Sequence, residues 1–404
     1  MSTSSPAQSR RAGMSPNLAS VRTFLGRHRS LSIIIGMSIF VAILPFIVTL
    51  PPLNGFNAPN VWLDNFAVAG IFVLLAIGLN IVVGLAGLLD LGYAAFFAIG
   101  AYTYAFGASG FTDVHVAFWP MLLVGALVAA VFGLLLGAPT LRLRGDYLAI
   151  VTLGFGEIVP IVFKNADERG IGVNLTNGTN GIAGIDRPVL NLQFGDFKLF
   201  EMIFNASNPL SYYVTMAVII TLVLILVYRL QDSRLGRAWQ AIREDELAAA
   251  SNGVNTVTTK LLAFALGATT SGFAGVFSAS KLVFVSPDQF GFTVSFTILA
   301  MVVLGGMGNS VGVAIGAFIV YVVQAVLLKQ LTNFLDPLNI PILSDINFVD
   351  YQFLLYGIAL VAMMLLRPEG LFPSRQRARE LHTAAGEDGM EGSPEGIDAE
   401  GSLA

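Results

Sequence analysis

Residues 31–50 read LSIIIGMSIFVAILPFIVTL, a run of twenty residues without a charge. At about 1.5 Å of rise per residue such a run covers the roughly 30 Å hydrocarbon core of a bilayer, so it is read as a spanning helix. A polar, arginine-bearing leader precedes it, as in a secretory signal. The run outlasts the roughly 7–15-residue core of such a signal, and no small-residue cleavage site precedes Pro51 and Pro52. It is therefore expected to stay as an uncleaved first span.

Working outward, further apolar runs lie at 62–83, 88–109, 117–138, 147–164, 211–230, 259–280, 290–306, 309–329 and 351–366, ten in all with the first. The whole composition agrees. Hydrophobic residues make up 55% of the 404 positions and charged ones 12%, with a mean hydropathy of +0.74. A soluble domain carries about 25% charged residues. Lipid must solvate this chain, which excludes a soluble enzyme, a nucleic-acid binder and a disordered scaffold. The expected fold class is an all-α integral membrane protein: a polytopic bundle of about ten transmembrane helices, both termini cytoplasmic, some helices short or broken.

The net charge of −4 belongs to the tail, because Leu381–Ala404 holds six acidic residues and no basic one. With the N-terminus inside, the inner segments collect sixteen Lys and Arg, among them Arg142, Arg144, Arg234, Arg237 and Arg243, against six outside. That excess sets the orientation. The expected organisation is a cytoplasmic segment at 1–30, a transmembrane domain at 31–373 and a disordered acidic cytoplasmic tail at 374–404. Within the membrane domain, 165–210 is an external loop with the turn-forming stretch Thr176–Gly181, and 231–259 is a cytoplasmic loop. Cysteine is absent, so there is no disulfide and no cysteine-based metal site.

Three features point inside the bundle. Ala263, Gly267, Ser271, Gly275 and Ala279 form a stripe of small residues at four-residue spacing, and Gly308, Gly312 and Gly316 form another. Such stripes let helix backbones approach closely in lipid. Asn80, Gly84, Gly87, Asp90 and Gly92 then fall in one glycine-rich stretch, and Gly305–Asn309 repeats the style in the second half. Matching interruptions of this kind occur at transporter substrate sites, although a tight turn between helices has the same signature. Glu157 is the most deeply placed carboxylate. An acidic residue at a helix centre costs about 2.5–3.5 kcal/mol, so it is expected to face the bundle interior. There it pairs with a substrate ammonium or carries a proton, or it hydrogen-bonds a neighbouring helix.

The loop 236–250 is rich in helix formers, with Ala238, Trp239, Ile242 and Ala249 mainly on one side and Arg243, Asp245 and Glu246 adding charge. Gly253 and Asn255 end this helix, which suits docking into a groove of a partner. Here the sequence resembles a family. Gly236–Phe264 is similar to the coupling loop of ABC importer permeases for branched-chain amino acids, of the LivM type. Gly78–Tyr93, Arg142–Ala149, Gly154–Glu157, Thr176–Ile182, Val303–Gly308 and Leu366–Leu371 resemble that family in the same order, covering most of 62–373. Pro160 and Val294 depart from it, where arginine and glutamate are expected in relatives.

The resemblance implies a subunit of the bacterial cytoplasmic membrane that passes leucine, isoleucine and valine. It implies two ABC ATPase subunits, a homologous second permease and an external substrate-binding protein as partners. Trp239, Arg243, Glu244, Asp245, Glu246, Ala249 and Gly253 then form the ATPase-coupling loop. Asn80, Gly84, Gly87, Asp90, Gly92 and Glu157 are the candidates for the translocation pathway. No cofactor or catalytic residue is expected, since none of the five lysines follows a glycine and no phosphate-binding loop exists. Two other readings stand beside this one: an ABC permease for urea, short amides or other amino acids, and a proton-coupled transporter using Glu157 and Asp90.

Overall fold

The computed structural model describes residues 29–50, 58–140, 143, 145–172, 174–194, 197–205, 208–330, 332, 351–367 and 370–372. Most of the expected segment 1–30 and all of the tail 374–404 lie outside the described residues.

Helices build the chain. In order they are α1 (Arg29–Val48), α2 (Pro59–Leu79), α3 (Ala94–Gly107), α4 (Phe118–Thr140), α5 (Asp146–Asn165) and α6 (Pro209–Gln231). After them come α7 (Arg234–Glu244), α8 (Glu246–Ser251), α9 (Thr256–Leu282), α10 (Phe292–Gly305), α11 (Ser310–Val322) and α12 (Gln352–Leu366). A π-helical turn, Asn80–Leu85, carries α2 onward, and another, Val323–Leu328, extends α11.

Among the described residues, seven helical stretches are long and apolar enough to cross a membrane. Three shorter apolar helices accompany them: Gly36–Val48, α3 and α12. Each apolar run of the sequence thus finds a helix, and one of them starts late. The run at 88–109 becomes helical only at Ala94, and residues 86–93 are irregular. Gly87 adopts φ +71°, a left-handed conformation that ends the preceding helix and favours glycine. The 14-residue α3 is about 21 Å long, shorter than the hydrocarbon core.

Packing explains the stripes. At the centre lies α9, pressed against α3 and α4. A Cβ on Gly275 would come within 2.4 Å of the Phe97 carbonyl, one on Gly100 within 2.6 Å of the Gly272 carbonyl, and one on Gly272 within 2.7 Å of the Gly125 carbonyl. Backbones here touch backbones, which only small residues allow. The second stripe works similarly: a Cβ on Gly316 would lie 2.3 Å from the Gly305 Cα. Hence α10 and α11 fold back on each other around the turn Gly306–Asn309, where Gly306 and Gly308 take φ +108° and +86°.

One end of the bundle carries short antiparallel pairs. β1 (Ala108–Ser109) pairs with β2 (Val114–His115), β3 (Ile182–Ala183) with β6 (Phe284–Val285), and β4 (Val189–Phe194) with β5 (Phe197–Ile203). The connection expected as an external loop is thus partly ordered. Thr176 Oγ1 donates to the Ala166 carbonyl (3.0 Å) and Asn177 Nδ2 to the Gly181 carbonyl (2.8 Å), closing the expected turn. The Tyr104 hydroxyl donates to the Asp186 carbonyl (2.8 Å), and His115 Nδ1 lies 2.6 Å from Asp186 Oδ2. These contacts strap the loop to α3 and the first hairpin.

Candidate coupling and passage sites

The opposite end holds α7 and α8. Ser233 caps α7, its hydroxyl accepting from Gly236 N (3.3 Å), and the chain turns sharply enough that a Cβ on Gly236 would sit 2.3 Å from the Gln231 carbonyl. The single helix expected over 236–250 is two helices. Asp245 breaks it by taking an extended conformation, and its carboxylate accepts from Leu247 N (2.8 Å) and Ala248 N (3.0 Å) as the cap of α8. Capping of this kind is what aspartate does best at a helix start. Gly253, at φ +83°, and the Asn255 cap on Thr258 N (3.1 Å) turn the chain into α9.

The residues of this loop divide by direction. Trp239 is fully buried, and its indole Nε1 donates to the Thr259 carbonyl (2.7 Å) in the first turn of α9. Ala249 is also buried, and Glu246 pairs at 2.6 Å with the buried ammonium of Lys260. Arg243 reaches into the bundle, where Nη1 donates to the Gly84 carbonyl (2.7 Å). Its methylenes lie so close to Gly87 that a Cβ there would be 2.8 Å from Arg243 Cγ. Glu244, Asp245, Leu247, Ala248 and Gly253 point outward. Leu247, at 67% exposure, is a large apolar side chain offered to whatever lies below.

Above Arg243 the two interrupted segments meet. Asn80, fully buried at the start of the π turn, accepts from Gly308 N (2.8 Å) at Oδ1 and donates from Nδ2 to Ser310 Oγ (3.2 Å). Gln231, the last residue of α6, donates to the same hydroxyl (2.8 Å). A Cβ on Gly84 would lie 2.0 Å from Asn80 Oδ1 and 2.6 Å from Gly308 N. One side chain therefore joins the end of α2, the α10–α11 turn and, through Ser310, the end of α6. Buried polar networks of this kind rigidify when satisfied.

Asp90 and Gly92 sit a little further along. Asp90 is buried, with Oδ1 accepting from Gly92 N (2.9 Å) and Oδ2 without a hydrogen-bond partner among the described residues. A Cβ on Gly92 would be 2.0 Å from the Thr152 carbonyl, so α5 crosses here in backbone contact. The void beside Asp90 measures about 10 Å³ and is lined by Thr152, Phe96 and Phe155 among others. That is roughly one water sphere, far below the size of an amino acid.

Glu157 lies elsewhere. The expectation turned it toward the bundle interior, whereas the structure leaves it exposed on α5, with Oε1 accepting from Phe292 N (3.0 Å) at the start of α10. The difference arises because α5 packs against its own chain through another face, where Leu148, Ala149, Thr152 and Gly156 are buried.

The family described as the permease component of branched-chain amino acid transport systems matches residues 62–364. Over 327 residues the chain is 41% identical to the high-affinity branched-chain amino acid transport system permease protein LivM of Escherichia coli K12, covering 78% of this chain and 71% of that protein. The chain belongs to this permease family. It is also similar to the probable LivM of Methanocaldococcus jannaschii, 26% identical over 265 residues, or 63% of this chain and 69% of that one. LivH of Escherichia coli K12, a second kind of permease, is 26% identical over 262 residues, or 63% and 80% of the two chains. No solved structure matches.

The permease thus gathers Asn80, Gly84, Gly87 and Arg243 into one cluster, with Asp90 and Gly92 nearby and Glu157 apart. Sequence reasoning missed Ser310, Gln231 and Lys260. The first two follow a glycine turn and end a span, positions that carry no motif of their own. Lys260 did carry a signal: a lysine in the first turn of a spanning helix, with an acid fourteen positions earlier across a turn.

Proposed function

We propose that this permease is a membrane subunit of an ATP-driven importer of branched-chain amino acids. It works with two ABC ATPases, a homologous second permease and an external substrate-binding protein. Membership of the family and the 41% identity to a LivM protein support the cargo and the class. The observation that carries the mechanism is the direct bond from Arg243 on α7 to Gly84 at the end of α2.

In this reading the ATPases grip the outward side of the loop, at Glu244, Asp245, Leu247 and Ala248. Movement of α7 reaches the bundle by two routes. Trp239 pulls on the base of α9 through Thr259, and Arg243 pulls on the π turn of α2. A π turn is a wide helical segment that recurs at functional sites, which suits it to change register under load. Asn80 passes the same motion to the α10–α11 turn. Alternating access follows if nucleotide biases the two arrangements of this linked set.

The test uses the complete complex in proteoliposomes with receptor, leucine and ATP. Leu247→Asp is expected to lose the ATPases on purification. Arg243→Ala is expected to keep them while leucine uptake falls about ten-fold, since a charged hydrogen bond contributes roughly 1.5–3 kcal/mol. Leucine uptake by the isolated chain without nucleotide overturns the reading. Uptake of urea or short amides in place of leucine overturns the cargo.

A further inference from the structure

Glu157 is a carboxylate well inside a membrane helix that the coupling cluster leaves out. It lies about 16 Å along α5 from Asp146 and about 12 Å from Asn165, near the middle of a membrane crossing. There a charge against lipid costs about 2.5–3.5 kcal/mol on insertion scales, so the face that carries it must meet water or protein in the working assembly. This chain supplies one contact, the Phe292 amide, and leaves the rest of that face uncovered. Glu157 is exposed, and so are Tyr147, Ile150, Gly154, Ile158 and Ile161, which share its helical face. A Cβ on Gly154, one turn away, would meet nothing within 4 Å.

We propose that Glu157 takes the α-ammonium group of the amino acid in the passage between the two permeases, and that this open face of α5 is the wall the chain contributes to that passage. The proposal rests on the importer reading above. The carboxylate is oriented for the task. Oε1 is held by the Phe292 amide, which fixes the side chain and leaves Oε2 with no partner among the described residues. A free ammonium group matches that oxygen in charge and in donor geometry. Ile150, Ile158 and Ile161 flank it with branched apolar surface, and the notch at Gly154 leaves room for an aliphatic side chain beside it.

Glu157→Gln separates charge from architecture, because the amide oxygen still accepts from Phe292 N. In the complete complex, Glu157→Gln is expected to lower ATP-driven leucine uptake about ten-fold, and Glu157→Asp to restore part of it. The permease has no cysteine, so Glu157→Cys places a single thiol in this chain. In the assembled transporter that thiol is expected to react with a membrane-impermeant cationic methanethiosulfonate. Wild-type uptake in Glu157→Gln overturns the proposal, and so does an unreactive thiol, which would mark a lipid-facing or tightly packed wall. If the wild-type complex imports no leucine, the importer reading fails, while the thiol still reports whether this face is wet.

Discussion

Helices α5 and α9 are both long and apolar enough to cross a membrane, yet they live in different surroundings. The apolar centre of α9 is 72% buried within this chain, that of α5 only 22%. The base of α9 is tied to the α7–α8 loop by Trp239 and by the Glu246–Lys260 pair. At the start of α5, a Cβ on Gly145 would meet nothing within 4 Å. Mean apolarity therefore does not tell a central helix from one that its own chain leaves mostly uncovered. The side chains do: small residues line α9 where backbones touch, while α5 sets branched residues and a carboxylate on its open side.

The largest effect should come from the centre. Gly275→Leu drives a side chain into the Phe97 carbonyl, where backbone must give way, and overpacking there is expected to cost more than about 3 kcal/mol. Loss of a monodisperse purified permease checks it; a normal melting temperature would break the contrast between the two helices. Next comes the tie at the base of α9. Glu246→Ala orphans the buried Lys260 ammonium and should cost about 2 kcal/mol, read as a lower melting temperature. Lys260→Met in the same background should recover most of it.

The smallest effect on the isolated permease should come from α5. Gly154→Leu fills open space, so stability should change by less than about 0.5 kcal/mol, read as a nearly constant melting temperature. The same variant should nevertheless lower ATP-driven leucine uptake by the complete complex, because it fills the notch beside Glu157. Wild-type uptake by the Gly154→Leu variant would put the open face of α5 against lipid.

Much of the fold was legible from local pattern. The run at 211–230 became Pro209–Gln231, that at 259–280 became Thr256–Leu282, and that at 309–329 became Ser310–Leu328. Local signals also located the loop between α6 and α9. They did not reveal that Asp245 splits its helix, because one poor helix former among many strong ones leaves the pattern helical until its side chain finds amides to cap. Nor did they separate the inward residues Trp239 and Arg243 from the outward Leu247. The amphipathic pattern identifies two faces without saying which one is docked on the bundle.

By itself the sequence determined the helical, membrane-borne class, the rough position of each span and the family. A bilayer core of fixed thickness forces every backbone group to be satisfied within its own segment, so the decisive information is local. The tertiary structure alone decided which glycines touch, that Asn80 bonds Gly308 across 228 residues, and that Glu157 turns outward. Such facts depend on the rotation of each helix about its axis. In lipid that rotation is set by close packing between distant segments rather than by any hydrophobic preference of the segment itself.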